Sequence, residues 1–237
     1  MPTYVYAITR ADHPLNLDGL DGVGDPPLRL RNVAAKDLAV VVSDAPPGLR
    51  AKRRDVMAHQ AVIERLMQDG PTLPMRFGLL GPDDEQVATA IEEQGAAYGD
   101  RLTELAGHVE FNLKAGRAED DLLREIMTDS EEIRLLNERS RSEGSTHDER
   151  LALGEKVSHE VAARQGREAD ELLARLGPAA ARTAPSDPGA GHFLNASFLV
   201  KAETAAAFSR AVEEEAGRRG DAYTFTLTGP LPPYSFV

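Results

Sequence analysis

The chain has 237 residues, of which 41% are hydrophobic and 28% charged, with a net charge of −12 and no cysteine. That length can bury a sizeable core in one or two domains, while the missing cysteines exclude disulfides, thiolate nucleophiles and cysteine metal sites. Acidic residues outnumber basic ones both up to residue 107 (16 against 11) and beyond it (23 against 16), so neither half suits a phosphate backbone and nucleic acid is not expected as a partner.

Thr3–Thr9 reads as a strand that is apolar on both faces, suited to the interior of a sheet. Residues 10–27 are loop-like, and Leu28–Val33 alternates as a short strand. Leu38–Val42 is a β-branched run of buried-strand length, broken by Pro46-Pro47-Gly48. A helix over Lys52–Gln68 carries Val56, His59, Ile63, Leu66 and Met67 on one stripe. Thr72–Leu80 is apolar and extended, interrupted by Pro74 and Gly78. Pro82 opens a second helix, expected to run to Ala106, with Asp83, Asp84 and Glu85 in its first turn.

After Gly107 the pattern restarts. His108–Ala115 alternates as a strand, and Glu119–Arg141 is helical with a break at Asp129-Ser130. A polar hinge covers 142–146. Thr146 and Glu149 form a capping box for a long helix ending at Gly177-Pro178. Pro178–Thr183 reads as a short strand, Phe193–Val200 as another, Ala202–Arg219 as a helix and Tyr223–Thr228 as the last strand, closed by Gly229 and Pro230. With 119–145 set aside as a helical insertion, this is the βαββαβ order of a ferredoxin-like unit. The fold class expected is therefore α+β in two domains: residues 1–107, an N-terminal α+β domain, and residues 108–237, a ferredoxin-like domain with the insertion and a docked C-terminal tail. The tail ends on Tyr234, Phe236 and Val237 behind two prolines, and the segment 72–78 is expected to lie near it.

The motifs of common chemistry fail. Gly19, Gly22 and Gly24 lack dinucleotide spacing and precede prolines instead of a helix. His159-Glu160 opens like a zinc-protease helix but has Ala163 where the second histidine must stand. There is no P-loop and no Gly-x-Ser-x-Gly elbow, so no catalytic residue, cofactor or metal is expected. His59 reads as a boundary histidine on an apolar stripe. Arg50, Lys52, Arg53 and Arg54 crowd a helix start, the wrong end for the dipole, and read as a solvated patch. Arg76, between Met75 and Phe77, is expected to be held by a carboxylate. As partner contacts the best prospects are Arg76, Phe77 and the stripe Leu122, Leu123, Ile126 and Met127, which needs a cover. No 18-residue apolar run occurs and no basic leader precedes one, so a soluble, cytoplasmic protein without a membrane span is expected.

Three segments together resemble the gas vesicle protein F/L family (GvpF/GvpL): Tyr4-Val5-Tyr6-Ala7-Ile8, His59 with Leu73-Pro74-Met75-Arg76-Phe77-Gly78, and Gly229-Pro230-Leu231-Pro232-Pro233-Tyr234-Ser235-Phe236. The family typically has Gly at the place of Ala7 and often Trp at that of Leu231. The resemblance implies an N-terminal α+β domain, a C-terminal ferredoxin-like domain and a non-enzymatic accessory role. In that role the partners would be the hydrophobic shell protein GvpA and other accessory gas vesicle proteins. The rival expectation is a small-molecule enzyme on the ferredoxin-like sheet, because fold alone does not decide function.

Overall fold

The computed structural model describes residues 1–142 and 146–237. It is a mixed α/β structure with two antiparallel sheets, and its contacts divide the chain into two compact units. The first comprises residues 1–110, 201–203 and 230–237, and the second residues 111–200 and 204–229.

In the first unit, strand β1 (Thr3–Arg10) is central, as its unbroken apolar run demands; every residue from Thr3 to Thr9 is buried. It pairs antiparallel with β3 (Leu38–Asp44), which pairs in turn with β2 (Arg31–Ala35). On its other side β1 takes two short strands, β4 (Thr72–Pro74) and β5 (Leu80–Gly81). Helix α1 (Arg53–Asp69) lays Val62, Ile63 and Leu66 against Tyr4, Tyr6 and Val41.

The single helix expected after Pro82 is two, α2 (Asp84–Glu93) and α3 (Gly95–Leu105), joined at Gln94. Asp83 caps α2 by accepting from the Gln86 N–H at 2.8 Å. Arg31 clamps the same end. It donates to Asp84 at 2.8 and 2.9 Å and pairs with Asp44 at 3.0 Å, and its guanidinium holds the Asp84 carboxyl below the ordinary range. Gly22 is fixed by space: a Cβ there would stand 2.2 Å from the Leu28 carbonyl oxygen and 2.9 Å from the Tyr6 hydroxyl.

In the second unit the sheet order is β7-β8-β6-β9, with β6 (His108–Arg117), β7 (Arg182–Ser186), β8 (Leu194–Lys201) and β9 (Tyr223–Leu231). Phe208 of α7 (Ala205–Arg219) packs on Phe111 and Phe198 at centroid distances of 5.3 and 5.1 Å. The expected helical break appears between α4 (Glu119–Asp129) and α5 (Glu131–Ser140), where the Ser130 hydroxyl accepts from the Ile133 N–H. The capping box at Thr146 and Glu149 opens α6 (His147–Leu176), 30 residues long. Residues 143–145 of the expected hinge lie outside the described residues.

Two expectations are corrected. Strand β9 does not stop at Gly229 and Pro230 but continues to Leu231; as an end strand it tolerates a proline, whose missing N–H costs no ladder bond on the open side. Residues 230–237, expected to dock on the second domain, belong to the first unit. The reason lies in the tail's own chemistry. Tyr234 joins the α1–β1 core, and Ser235 donates to Glu110 from both its N–H and its hydroxyl.

Candidate functional site

A cluster of rings on the first sheet defines the site. Strand periodicity puts Tyr4 and Tyr6 on one face, and their rings meet edge to face at 4.7 Å. His59, brought in by α1, stacks on Tyr6 at 5.5 Å and meets Tyr4 edge-on at 5.6 Å. Phe77 closes the cluster against both Tyr4 and His59.

The hydrogen bonds settle the protonation. His59 Nε2 faces the Met75 carbonyl at 3.0 Å, so it must carry the proton and donate. Nδ1 is then the acceptor, and the Tyr4 hydroxyl donates to it at 2.9 Å. The Tyr4 oxygen in turn accepts from the Gly78 N–H at 3.2 Å. The Tyr6 oxygen accepts from the Val23 N–H at 2.8 Å and lies 3.1 Å from Ser43 Oγ. Burial pushes the Tyr4 and Tyr6 hydroxyls up and the His59 imidazole down. The network is therefore neutral, and protonating His59 would turn Nδ1 into a second donor facing a hydroxyl already committed to donate.

The sign of the resulting pH dependence follows. With its folded pKa held below the ordinary 6.5, His59 makes the unfolded chain bind more protons just below that value. Stability is then complete above pH 6.5 and falls as the pH drops towards the folded pKa. Melting temperatures measured on either side of 6.5 should show this slope, and His59→Gln should flatten it; an equal slope in the variant would refute the assignment.

The ring cluster anchors a turn. Met75 N–H donates to the Tyr6 carbonyl at 2.9 Å, and Leu79 N–H donates back to Arg76 O at 3.2 Å. That bond closes Arg76-Phe77-Gly78-Leu79 as a β-turn, and Gly78 has φ +91° at its third position, a conformation glycine adopts without strain. Phe77 points into the cluster while Arg76, Leu79 and Leu80 are exposed. Among the described residues Arg76 has no carboxylate partner, contrary to expectation, because the turn carries it outward.

The Leu122 stripe fares differently. Leu122 and Ile126 are buried, covered within the unit by Ile133 of α5 and by Leu153, Val157 and Val161 of α6. The expected need for a cover is thus met by the chain itself, and neither side chain is open to a partner. Leu123 and Met127 remain half-exposed, beside Asp120, Arg124, Thr128 and Arg134.

Charges tie this helical layer to the sheet. Arg117 of β6, its side chain 8% exposed, pairs with Glu168 of α6 at 2.6 Å and with Glu125 of α4. Arg164 binds Glu125 at 2.5 Å, Glu160 at 2.9 Å and Asp129 at 3.1 Å. Tyr223 donates to Glu168 at 2.8 Å and lies under the Arg117 guanidinium, 5.1 Å from ring centroid to Cζ.

The family model for the gas vesicle synthesis protein GvpL/GvpF matches residues 2–237. The chain belongs to the GvpL/GvpF family. Gas vesicle protein F of Streptomyces sp. is 39% identical over the full length of both chains, and that of Dolichospermum flosaquae is 25% identical over all of this chain and 98% of the relative. Among solved structures, GvpF of Anabaena sp. superposes with a TM-score of 0.84 at 22% identity, covering 99% of this chain and 97% of that one. GvpF of Microcystis aeruginosa gives 0.81 at 22% identity, covering 99% and 98%. At that identity the structures establish the fold alone.

In this GvpL/GvpF chain the three segments that carry the resemblance converge. Tyr4 and Tyr6 from the first, His59 with Met75, Phe77 and Gly78 from the second, and Tyr234 from the third share one core cluster. Sequence reading placed His59 on an apolar stripe but missed its bond to Tyr4, because no spacing rule links residues 55 positions apart. The legible signal was Tyr-x-Tyr on one strand face opposite a histidine at a core position.

Proposed function

We propose that this protein is a non-enzymatic, cytoplasmic accessory factor of gas vesicle formation, associated with the vesicle, that binds the shell protein GvpA and other accessory gas vesicle proteins. The observation that carries the reading is the GvpL/GvpF match across residues 2–237. The geometry supports it: the shifted groups Tyr4, Tyr6 and His59 are locked to one another inside a core, where they serve packing rather than catalysis. Among the described residues, no helix is long and apolar enough to cross a membrane. We read the two compact units as two domains, the second ferredoxin-like with the α4–α5 insertion; the order β7-β8-β6-β9 supports that description.

Apolar shell subunits aggregate when exposed, and a chain of net charge −12 can keep a complex dispersed. The contact we assign first is the turn, whose Arg76 is exposed and whose Leu79 and Leu80 are 45% and 50% exposed on a rigid anchor. The half-exposed pair Leu123 and Met127 comes second. Purified protein should retain GvpA in a pull-down, and Arg76→Glu with Leu79→Asp should lose it at an unchanged melting temperature. Full retention by that variant would move the contact elsewhere; no retention by the native protein would remove GvpA as the partner.

A further inference from the structure

One face of the first unit gathers cations that answer no carboxylate of this chain. Of the four that crowd the start of α1, Arg54 is paired, with Asp25 at 2.7 Å and Asp55 at 3.3 Å. Arg50, Lys52 and Arg53 are exposed and, like Arg76, have no ion-pair partner among the described residues. The carboxylates of α1 itself are engaged: Asp55 accepts from the Gly24 N–H, Glu64 accepts from Gln60, and Asp69 pairs with Arg65.

The helix itself gains nothing from them. Lys52 stands at the N-cap and makes no side-chain cap bond, whereas Asp83, Ser130 and Thr146 cap α2, α5 and α6. Cations at a helix start oppose its dipole, and aspartate or serine at the cap would hold it better. A local rule broken without structural return points to function. Apolar side chains adjoin these cations. Met57, 58% exposed, follows Arg53 by one turn on the same side of α1. Lys52 precedes His59 by two turns on the face that meets the Met75 carbonyl and Phe77. From there the chain turns outward through Arg76 to Leu79 and Leu80.

We propose that the start of α1 and the turn at Gly78 together dock a protein segment of acidic character, with apolar side chains between its carboxylates. Charge selects that partner. Unpaired cations stand together in a chain of net charge −12, so a short anionic segment is attracted here and repelled elsewhere on the surface. The same repulsion disfavours an extended polyanion such as nucleic acid, whose phosphates would run on over acidic surface. The exposed Met57, Leu79 and Leu80 select apolar side chains, which a phosphate backbone does not supply. The proposal extends the turn assigned above as the first GvpA contact and names the chemistry a partner must bring to it. Its test is read without GvpA, so either reading can fail alone.

The probe is a labelled synthetic peptide of alternating glutamate and leucine pairs, titrated with the full-length protein and followed by fluorescence anisotropy. It should bind, more weakly as salt is raised, and more tightly than polyglutamate or single-stranded DNA. Lys52→Asp with Arg53→Glu should weaken binding about tenfold or more while the melting temperature holds or rises, because both changes suit a helix start. Arg134→Glu with Arg210→Glu, the same change in net charge at exposed positions elsewhere, should leave binding as it is. No binding by the native protein overturns the proposal, and so does DNA bound as tightly as the peptide. An unchanged affinity in the α1 variant, or an equal loss in the Arg134 and Arg210 variant, overturns it too. A lower melting temperature in the α1 variant would mean that the cations serve the fold, which also overturns it.

Discussion

Deletion of Pro230–Val237 is expected to destabilise the first unit by roughly 4 kcal/mol or more. Phe236 is 3% exposed and Tyr234 packs on the Tyr4–Tyr6–Leu66 core; burying each such ring is worth about 1.5–3 kcal/mol. Ser235 adds two hydrogen bonds, at 2.8 and 2.7 Å, to the Glu110 carboxylate, itself only 4% exposed. Bonds to a charged group contribute about 1.5–3 kcal/mol. Such a sum is a large share of the roughly 5–15 kcal/mol that holds a domain together. Denaturant melts report the loss directly, and hydrogen exchange should show it first in the amides of β1 and α1. A truncated chain that melts with the intact one would mean that the tail contributes nothing to the core.

Arg117→Met should cost about 3 kcal/mol. Breaking a buried ion pair from one side costs roughly 3–5 kcal/mol, because the remaining charge is stranded. Glu168, with a side chain 13% exposed, would be so stranded, whereas Glu125 at 43% can turn to water, which argues for the lower figure. Adding Glu168→Gln to the variant should recover part of the loss, since the stranded charge goes with it. An Arg117→Met protein as stable as the native one would show that the network merely decorates the surface.

Most elements were legible because their signals are local. The break at Asp129-Ser130 could be read inside a charged helix, and Thr146 with Glu149 as a capping box, since each acts within one turn. The break at Gln94 was not legible: Gly95 and Gly99 lower helix propensity only modestly, and no proline marks the stop. Gly229 and Pro230 misled for the opposite reason. They carry the usual marks of a strand end, but at a sheet edge those marks lose their force. Reading the tail as apolar and docked was sound, yet which core it joins depends on Glu110 and on the α1–β1 packing, and pairings across that distance leave no periodicity. At the candidate site, Arg76 and Phe77 were legible as a pair worth attention. Their division of labour, one exposed and one anchored, comes from the turn at Gly78. Leu122 and Ile126 misled because their cover arrives from α6, far along the chain.

The grouping of residues 230–237 with residues 1–110 bears on how the protein is made. Synthesis runs from the N-terminus, and domains generally fold as units as they emerge. Here the segment 111–200 is complete in the chain before the first unit possesses its last strip of core. The first unit is thus finished only by residues 230–237, after the whole of the second has been made. A stalled or clipped chain would display an open Tyr4–His59 core, marking unfinished copies for chaperones and proteases.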